Sequence, residues 1–457
     1  MTASTLDVQR FIDERPFSPL QWLTLGLCFL VTFLDGFDTA AVGFVAPAVS
    51  KAWHIPPPDL KQLLTVGFFG LAVGALVAGP LADRVGRKWV LIGSLAFFGL
   101  FSLISAEATD LTELTLLRFL TGVGLGAAMP NATTLTAEYC PAARRSLLIT
   151  LMFSGFTLGS AGGGFVAAAM IPDFGWQSVF VTGGVAPLVL ALILILALPE
   201  SIQFLVARGA GKNSAVAAIV RRIDPSASIG SETRFVMTEA TAGHRPSLGV
   251  LFENGLTFGT IAVWVAFFMG LIVIYLLTSW LPTLITTAGL GIEKAAVIGA
   301  MFQLGGTIGA LAVSWCMDRY NAHLSIAVSY LLGAAMLVVI AQLSNNQVSA
   351  NLVVLSATVF LAGFFMSGSQ SSMSPLAAGF YPTLGRATGV SWMLGIGRFG
   401  AILGAFLGGV LLSLGWGFQL IIGVLAVPAA IAAIAVLLKM RHYQAMAQGE
   451  PAMRAAE

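Results

Sequence analysis

Asp35 and Asp38 stand one helical turn apart within residues 19–49, a stretch otherwise built largely from Leu, Phe, Val, Ala and Thr. An ionised carboxylate near a bilayer centre costs roughly 3 kcal/mol on insertion scales, so two on one helix face demand partners, water or a proton. Either they form an ion pair that packs helices, or they are a protonatable pair facing an aqueous path. The second reading predicts a transporter.

Two cations add to this chemistry. Asp38 lies nine residues before Pro47 and Arg118 seven after Leu111, which puts both roughly 10 to 14 Å from the same face of the membrane. They can meet. A nearby Arg favours the ionised carboxylate and burial favours the protonated one, so rearranging the pair would load or release a proton. A permanent structural salt bridge is the other reading; Asp35, one turn deeper, is then the better proton carrier. Arg398 stands twelve residues past Arg386, roughly 18 Å along a helix and near mid-membrane. Its planar, permanently charged fork suits a substrate carboxylate. It also suits Asp35 or Asp38 as an internal partner across the two halves.

The elements that position these groups are membrane helices. Hydrophobic residues make up 57% of the 457-residue chain, charged residues 10%, and mean hydropathy is +0.90, whereas soluble domains carry about 25% charge. Apolar runs long enough to span fall at 19–46, 60–82, 89–106, 111–137, 146–171, 176–198, 256–287, 295–316, 324–343, 349–379, 387–414 and 416–438. The spacing therefore predicts twelve transmembrane helices in an all-α membrane protein. The first nineteen residues mix both charge signs and the first span exceeds a signal h-region, so no cleaved signal peptide is expected.

Of the 23 Lys and Arg, only Lys51, Lys61 and Lys294 fall on one side, with Arg118 and Arg398 inside spans; this asymmetry places both termini in the cytoplasm. The net charge of +2 reports that topology rather than nucleic-acid binding. Cys28, Cys140 and Cys316 have no metal spacing and read as small buried hydrophobes. The long polar segment 200–255, with Arg208, Lys212, Arg221, Arg222, Arg234 and Arg245, divides an N-terminal bundle (1–199) from a C-terminal bundle (256–438) and a tail (439–457).

The bundles repeat one another. Gly70, Gly74, Ala75, Leu76, Asp83 and Arg84 recur as Gly305, Gly309, Ala310, Leu311, Asp318 and Arg319. Phe119, Leu120, Gly122, Pro141, Arg145 and Gly159 recur as Phe360, Leu361, Gly363, Pro382, Arg386 and Gly400. Two similar six-helix halves imply a site at their interface, opened alternately to each side. Thr157 is the repeat partner of Arg398, so that charge belongs to one half only.

The segment GPLADRVGRKWVL, with Gly79, Asp83, Arg84, Gly86, Arg87 and Lys88, resembles the loop signature of the major facilitator superfamily. Its second copy has Asn321 and His323 in place of Gly86 and Lys88. A tight Gly turn with Asp83 near helix ends, facing basic residues on the opposing bundle, makes a latch that breaks as bundles rock. A topology anchor alone would need only Arg87 and Lys88.

Three further segments, DGFDTAAVGFVAPAV at 35–49, RFLTGVGLGAAMPNATTLTAEYCPAARRS at 118–146 and FYPTLGRATGVSWMLGIGRFG at 380–400, resemble the aromatic acid:proton symporters of that superfamily. The resemblance spans the twelve-helix core but not the central linker or tail. It implies import of small aromatic carboxylates such as hydroxybenzoates with protons. On this reading Asp35, Asp38 and Arg118 couple protons. Arg398, Trp392, Gln303, Tyr275 and Asn131 are the substrate-binding candidates, since a phenolic acid needs a cation, aromatic walls and hydroxyl partners. Glu138, Arg145, Arg386, Asp318 and His323 join Asp83, Arg84, Arg87 and Lys88 as gate candidates, with Glu138 set toward Arg386; solvation at the surface is the competing reading for them.

Gly155-x-x-x-Gly159 allows close helix approach. In proton antiporters of the superfamily a similar pattern carries Pro after its second Gly; here that residue is Ser160, which weighs against a drug-exporting antiporter, the alternative function. No H-E-x-x-H, P-loop or His in a span core supports an enzyme, no buried span Lys supports a retinal pump, and linker and tail are short for a sensor. The expected partners are a small aromatic acid, protons and the inner-membrane bilayer. No cofactor, metal or nucleic acid is expected, and the chain is read as a monomer.

Overall fold

The computed structural model describes residues 5–209, 213–227, 233–236, 248–253, 255–343, 352–382 and 385–454; Lys212 and Arg245 of the linker lie outside them. Among the described residues, twelve helical stretches are long and apolar enough to cross a bilayer. Helices are the outcome because a lone segment in hydrocarbon must satisfy every backbone N–H and C=O within itself.

The first six are α2 (Pro19–Trp53), α3 (Lys61–Val85, preceded by a 3-10 turn at Pro57–Leu60), α4 (Arg87–Ser105), α5 (Leu111–Tyr139), α6 (Arg145–Phe174) and α7 (Gln177–Ala197), after a strand β1 (Thr5–Asp7) and a short α1 (Val8–Asp13). Then come α8 (Ile202–Ala207), α9 (Asn213–Ile223) and β2 (Arg234–Val236). The last six spans are α10 (Thr257–Thr287), α11 (Ile292–Arg319), α12 (Ala322–Leu343), α13 (Leu352–Phe380), α14 (Arg386–Ser413) and the pair α15 (Phe418–Val424) and α16 (Ala426–Arg454). Local chemistry sets several ends. Asp110 accepts from Glu113 N–H while Glu113 accepts from Thr109 N–H, a reciprocal cap that starts α5. The twelfth span is interrupted at Leu425 because Pro428 has no N–H to reach back four residues.

The chain divides into two compact units. One comprises Met1–Ala41, Val66–Ser160 and Gln177–His244; the other Val42–Thr65, Ala161–Trp176 and Arg245–Glu457. Helices α2, α3 and α6 therefore contribute residues to both. In the first unit α4 packs on α5 and α7; in the second α11 packs on α13, α10 on α14 and α16, and α12 on α13 and α16.

The internal repeat is realised contact by contact. Gly70 and Gly74 abut the carbonyls of Phe119 and Val123, and their counterparts Gly305 and Gly309 abut those of Phe360 and Phe364. A methyl at any of these positions would collide with backbone, so the spacing of small residues dictates where the helices touch.

The described part of the linker is folded against the first unit. Residues Leu198, Ile202, Leu205, Val216, Ile219, Val220, Ile223 and Phe235 share a core with Val8, Phe11 and Ile12. Strand β1 pairs in parallel with β2, Leu6 opposite Phe235. Arg15 Nε lies 2.6 Å from Asp224, and Asp13 accepts from the N–H of Ala142 at 2.8 Å. The Ser226 hydroxyl, with Arg15, pulls Asp224 down to about 2, so this tie stays charged through the physiological range.

Candidate functional site

Helix α6 clamps α2 where the two aspartates sit. A Cβ on Gly155 would approach the carbonyl of Phe29 at 2.6 Å, Gly159 abuts that of Phe33, and Gly36 abuts Phe156. The Ser160 hydroxyl donates to the Gly36 carbonyl at 2.9 Å. The small residues thus bring the backbones together, and Ser160 adds a bond that a proline there cannot make. Both Asp35 and Asp38 are 2% exposed. Asp35 accepts from the Thr39 hydroxyl at 3.3 Å.

Asp38 meets Arg118. Nη1 of the guanidinium, which is also 2% exposed, lies 3.2 and 3.3 Å from the two carboxylate oxygens. Its Nη2 donates to the hydroxyls of Ser105 and Thr121, both at 2.8 Å, and its plane lies 4.5 Å from the centre of the Phe180 ring. Nε is buried without a hydrogen-bond partner. Ser102 donates to Asp38 Oδ1 at 2.9 Å and lies 3.3 Å from the Phe180 carbonyl. One carboxylate, one guanidinium and three hydroxyls from α2, α4 and α5 are gathered in an otherwise apolar bundle. Such a group persists only if its members satisfy one another.

A second polar centre surrounds the loop signature. Gly86 has φ of 104°, a conformation that favours glycine, and a side chain there would run into the Glu200 carboxylate. Gly86 caps α4 without a side chain, and Glu200 supplies what is missing by accepting from Lys88 N–H at 2.9 Å, an anion at a helix N-terminus. The neighbouring Ser201 donates to Glu138 at 2.7 Å, Gln203 N–H reaches Glu138 at 3.2 Å, and Arg87 Nε lies 3.5 Å from it. Tyr139 donates to the Glu200 carbonyl at 2.7 Å, and Arg208 donates to the carbonyl of Arg84. Gly86→Ala is expected to lower unfolding stability by about 1 to 3 kcal/mol, from the strained φ and the clash, read as a fall in melting temperature of purified protein.

Glu138, one of the gate candidates, finds these partners in its own unit. Asp83 is largely exposed and stands 3.9 Å from Arg87; Asp318 and Arg386 are exposed, and Arg145 is half-buried with its Nε unpartnered. His323 is half-buried, its Nε2 2.9 Å from the ammonium of Lys439, a cation that must donate there because it has no acceptor.

In the second unit Arg398 and Tyr275 are half-buried on α14 and α10. Trp392 is half-exposed and stacks on Trp264 with centroids 6.2 Å apart. Gln303 donates to Thr278 at 3.0 Å. Asn131, in the first unit, spends an amide hydrogen on the Ala127 carbonyl of its own helix, at 2.7 Å.

Sequence reasoning missed Glu200 and Ser201, treated there only as the start of a linker. A signal existed: Pro199 ends the sixth span, and an acid and a hydroxyl follow at once, Ser201 capping α8 through Phe204 N–H at 3.1 Å. It also missed Ser102, Ser105 and Thr121. Nothing in the sequence distinguishes them from other hydroxyl residues in spans, since the contact depends on how each helix is rotated.

A family model described as Major Facilitator Superfamily matches residues 28–356. The 4-hydroxybenzoate transporter PcaK of Pseudomonas putida is 50% identical over 95% of this chain and 96% of its own length. A gallate transporter of the same species is 48% identical, covering 94% of each. Among solved structures, the D-xylose-proton symporter superposes with a TM-score of 0.70 over 91% of this chain and 97% of that one, at 16% identity, a likeness of fold.

Proposed function

This chain belongs to the major facilitator superfamily and, within it, to the aromatic acid transporters, and from that premise we propose that it imports a small aromatic carboxylate in symport with protons by alternating access. The substrate class is that of its relatives, 4-hydroxybenzoate and gallate. The location proposed is the inner membrane, with both termini in the cytoplasm.

The observation that carries the coupling is the buried Asp38–Arg118 pair with Asp35 one turn away. A structural bridge alone would need a single carboxylate. Two carboxyl groups buried one turn apart on the same helix give the bundle two sites at which a proton could be taken up and released. For the substrate, Arg398 is the proposed anchor of the carboxylate, with Trp392, Gln303 and Tyr275 of the same unit as candidates for the ring and hydroxyl contacts. The bond from Ser160 to Gly36 supports symport over the antiporter alternative, because it occupies the position where the antiporter pattern has proline.

The test is uptake of labelled 4-hydroxybenzoate into proteoliposomes. With the outside acid, substrate should accumulate above its external concentration, and a protonophore should abolish the excess. Expulsion of substrate under the same gradient would establish the antiporter instead.

The loop signature is proposed to act on the conformational equilibrium. Asp83→Asn is expected to cut the maximal rate about tenfold while leaving affinity within about twofold, because its exposed carboxylate lies at the end of α3. Measured KM and maximal rate would separate the two, and a large loss of affinity at an unchanged rate would contradict that role.

A further inference from the structure

We propose that Ser102 is the residue that lets Asp38 exist in both protonation states, a positioning role that rests on the proton-symport reading above. Ionised, Asp38 has two donors, Arg118 Nη1 and the Ser102 hydroxyl. Protonated, it carries an O–H that needs an acceptor, and burial leaves no water to serve at low cost. Arg118 has no acceptor atom. Ser102 Oγ, 2.9 Å from Asp38 Oδ1, does.

Ser102 can accept because its own hydrogen has a second destination. The Phe180 carbonyl stands 3.3 Å from the same Oγ. When a proton adds to Asp38 Oδ1, the new O–H donates to Ser102 Oγ, and the serine O–H turns from Oδ1 to the Phe180 carbonyl. No covalent bond to serine changes. Loss of the proton reverses both turns. Gly183 on α7 leaves room for this, since even a Cβ there would approach Ser102 Oγ at 3.3 Å and Asp38 Oδ1 at 3.5 Å.

The other side of the group is fixed. The hydroxyls of Ser105 and Thr121 commit their hydrogens to the carbonyls of Phe101 and Leu117, at 2.7 and 2.9 Å, so towards Arg118 they only accept. Those two hydroxyls and the Phe180 ring, 4.5 Å from Cζ, are contacts of the guanidinium that do not involve Asp38. The switching hydrogen is therefore that of Ser102. Of the charged groups near Asp38, Asp35 lies one turn away on α2 and Arg118 on α5; α4 brings Ser102 and Ser105, α7 brings Phe180 and Gly183, and α6 brings Phe156 and Ser160 beside Gly36.

Removing the hydroxyl takes one of several bonds from ionised Asp38 but takes from the protonated form the acceptor that stands 2.9 Å from Oδ1. In proteoliposomes taking up labelled 4-hydroxybenzoate, Ser102→Ala should move the half-maximal pH of uptake about one unit more acid, while exchange at equal pH persists and Ser102→Thr restores the wild-type profile. The protonated-carboxyl stretch in infrared pH-difference spectra, assigned by its loss in Asp38→Asn, should move by the same amount. Should the alanine protein not insert, Ser102→Cys, with a weaker acceptor, should shift both in the same direction by less. A reduced rate with an unmoved profile, a shift to alkaline pH, or no titrating Asp38 band in the wild type would overturn the assignment. Wild-type uptake indifferent to a pH gradient would instead overturn the symport reading, and the infrared titration would still decide the role of Ser102.

Discussion

Asp35→Asn protein is expected to lose accumulation driven by a pH gradient altogether while still exchanging labelled for unlabelled 4-hydroxybenzoate. The substitution keeps the shape of a buried side chain and removes its capacity to take and give a proton, so binding and conformational exchange survive but the coupling does not. Asp38→Asn should fail more broadly. It leaves the Arg118 guanidinium buried against a neutral amide, and breaking one side of a buried pair costs about 3 to 5 kcal/mol. A lowered melting temperature should therefore accompany the transport defect in Asp38→Asn. The measurement pairs gradient-driven uptake and equal-pH counterflow with a thermal melt of each variant. Uptake at the wild-type rate by Asp35→Asn would remove that residue from the coupling machinery and leave Asp38 as its carrier.

Arg398→Ala should weaken substrate binding roughly 10- to 150-fold, because a charge-assisted hydrogen bond to a buried carboxylate contributes about 1.5 to 3 kcal/mol. Arg398→Lys should also bind poorly, though less so, since an ammonium keeps the charge and loses the planar two-point contact. An amide analogue supplies the control. It should bind the wild type weakly and discriminate little between wild type and Arg398→Ala. Binding by isothermal calorimetry on purified protein reads all three. A mutant that retains a full preference for acid over amide would show that the carboxylate is held elsewhere.

What the sequence by itself determined is one-dimensional. Twelve apolar stretches, the uneven distribution of Lys and Arg among the segments between them and the recurrence of glycines at matched positions are properties of composition and spacing, and the first two are what insertion into a bilayer responds to. The glycine repeat went further and located helix contacts, because a missing side chain at Gly70 or Gly305 permits only one kind of neighbour there. The depth count that set Asp38 level with Arg118 succeeded for the same reason: both are fixed by rise per residue.

The tertiary structure alone decided which polar groups meet. Glu138 meets Arg87 and Ser201 because the α7–α8 corner at Pro199 to Ser201 brings an N-cap and a second acid onto the end of α5. Ser102, Ser105 and Thr121 converge on one ion pair from separate helices, through rotations that small-residue contacts impose. Helix periodicity reports that a hydroxyl lies on a given face. Which carboxylate that face meets depends on a partner helix tens of residues away, a relation that no local pattern encodes.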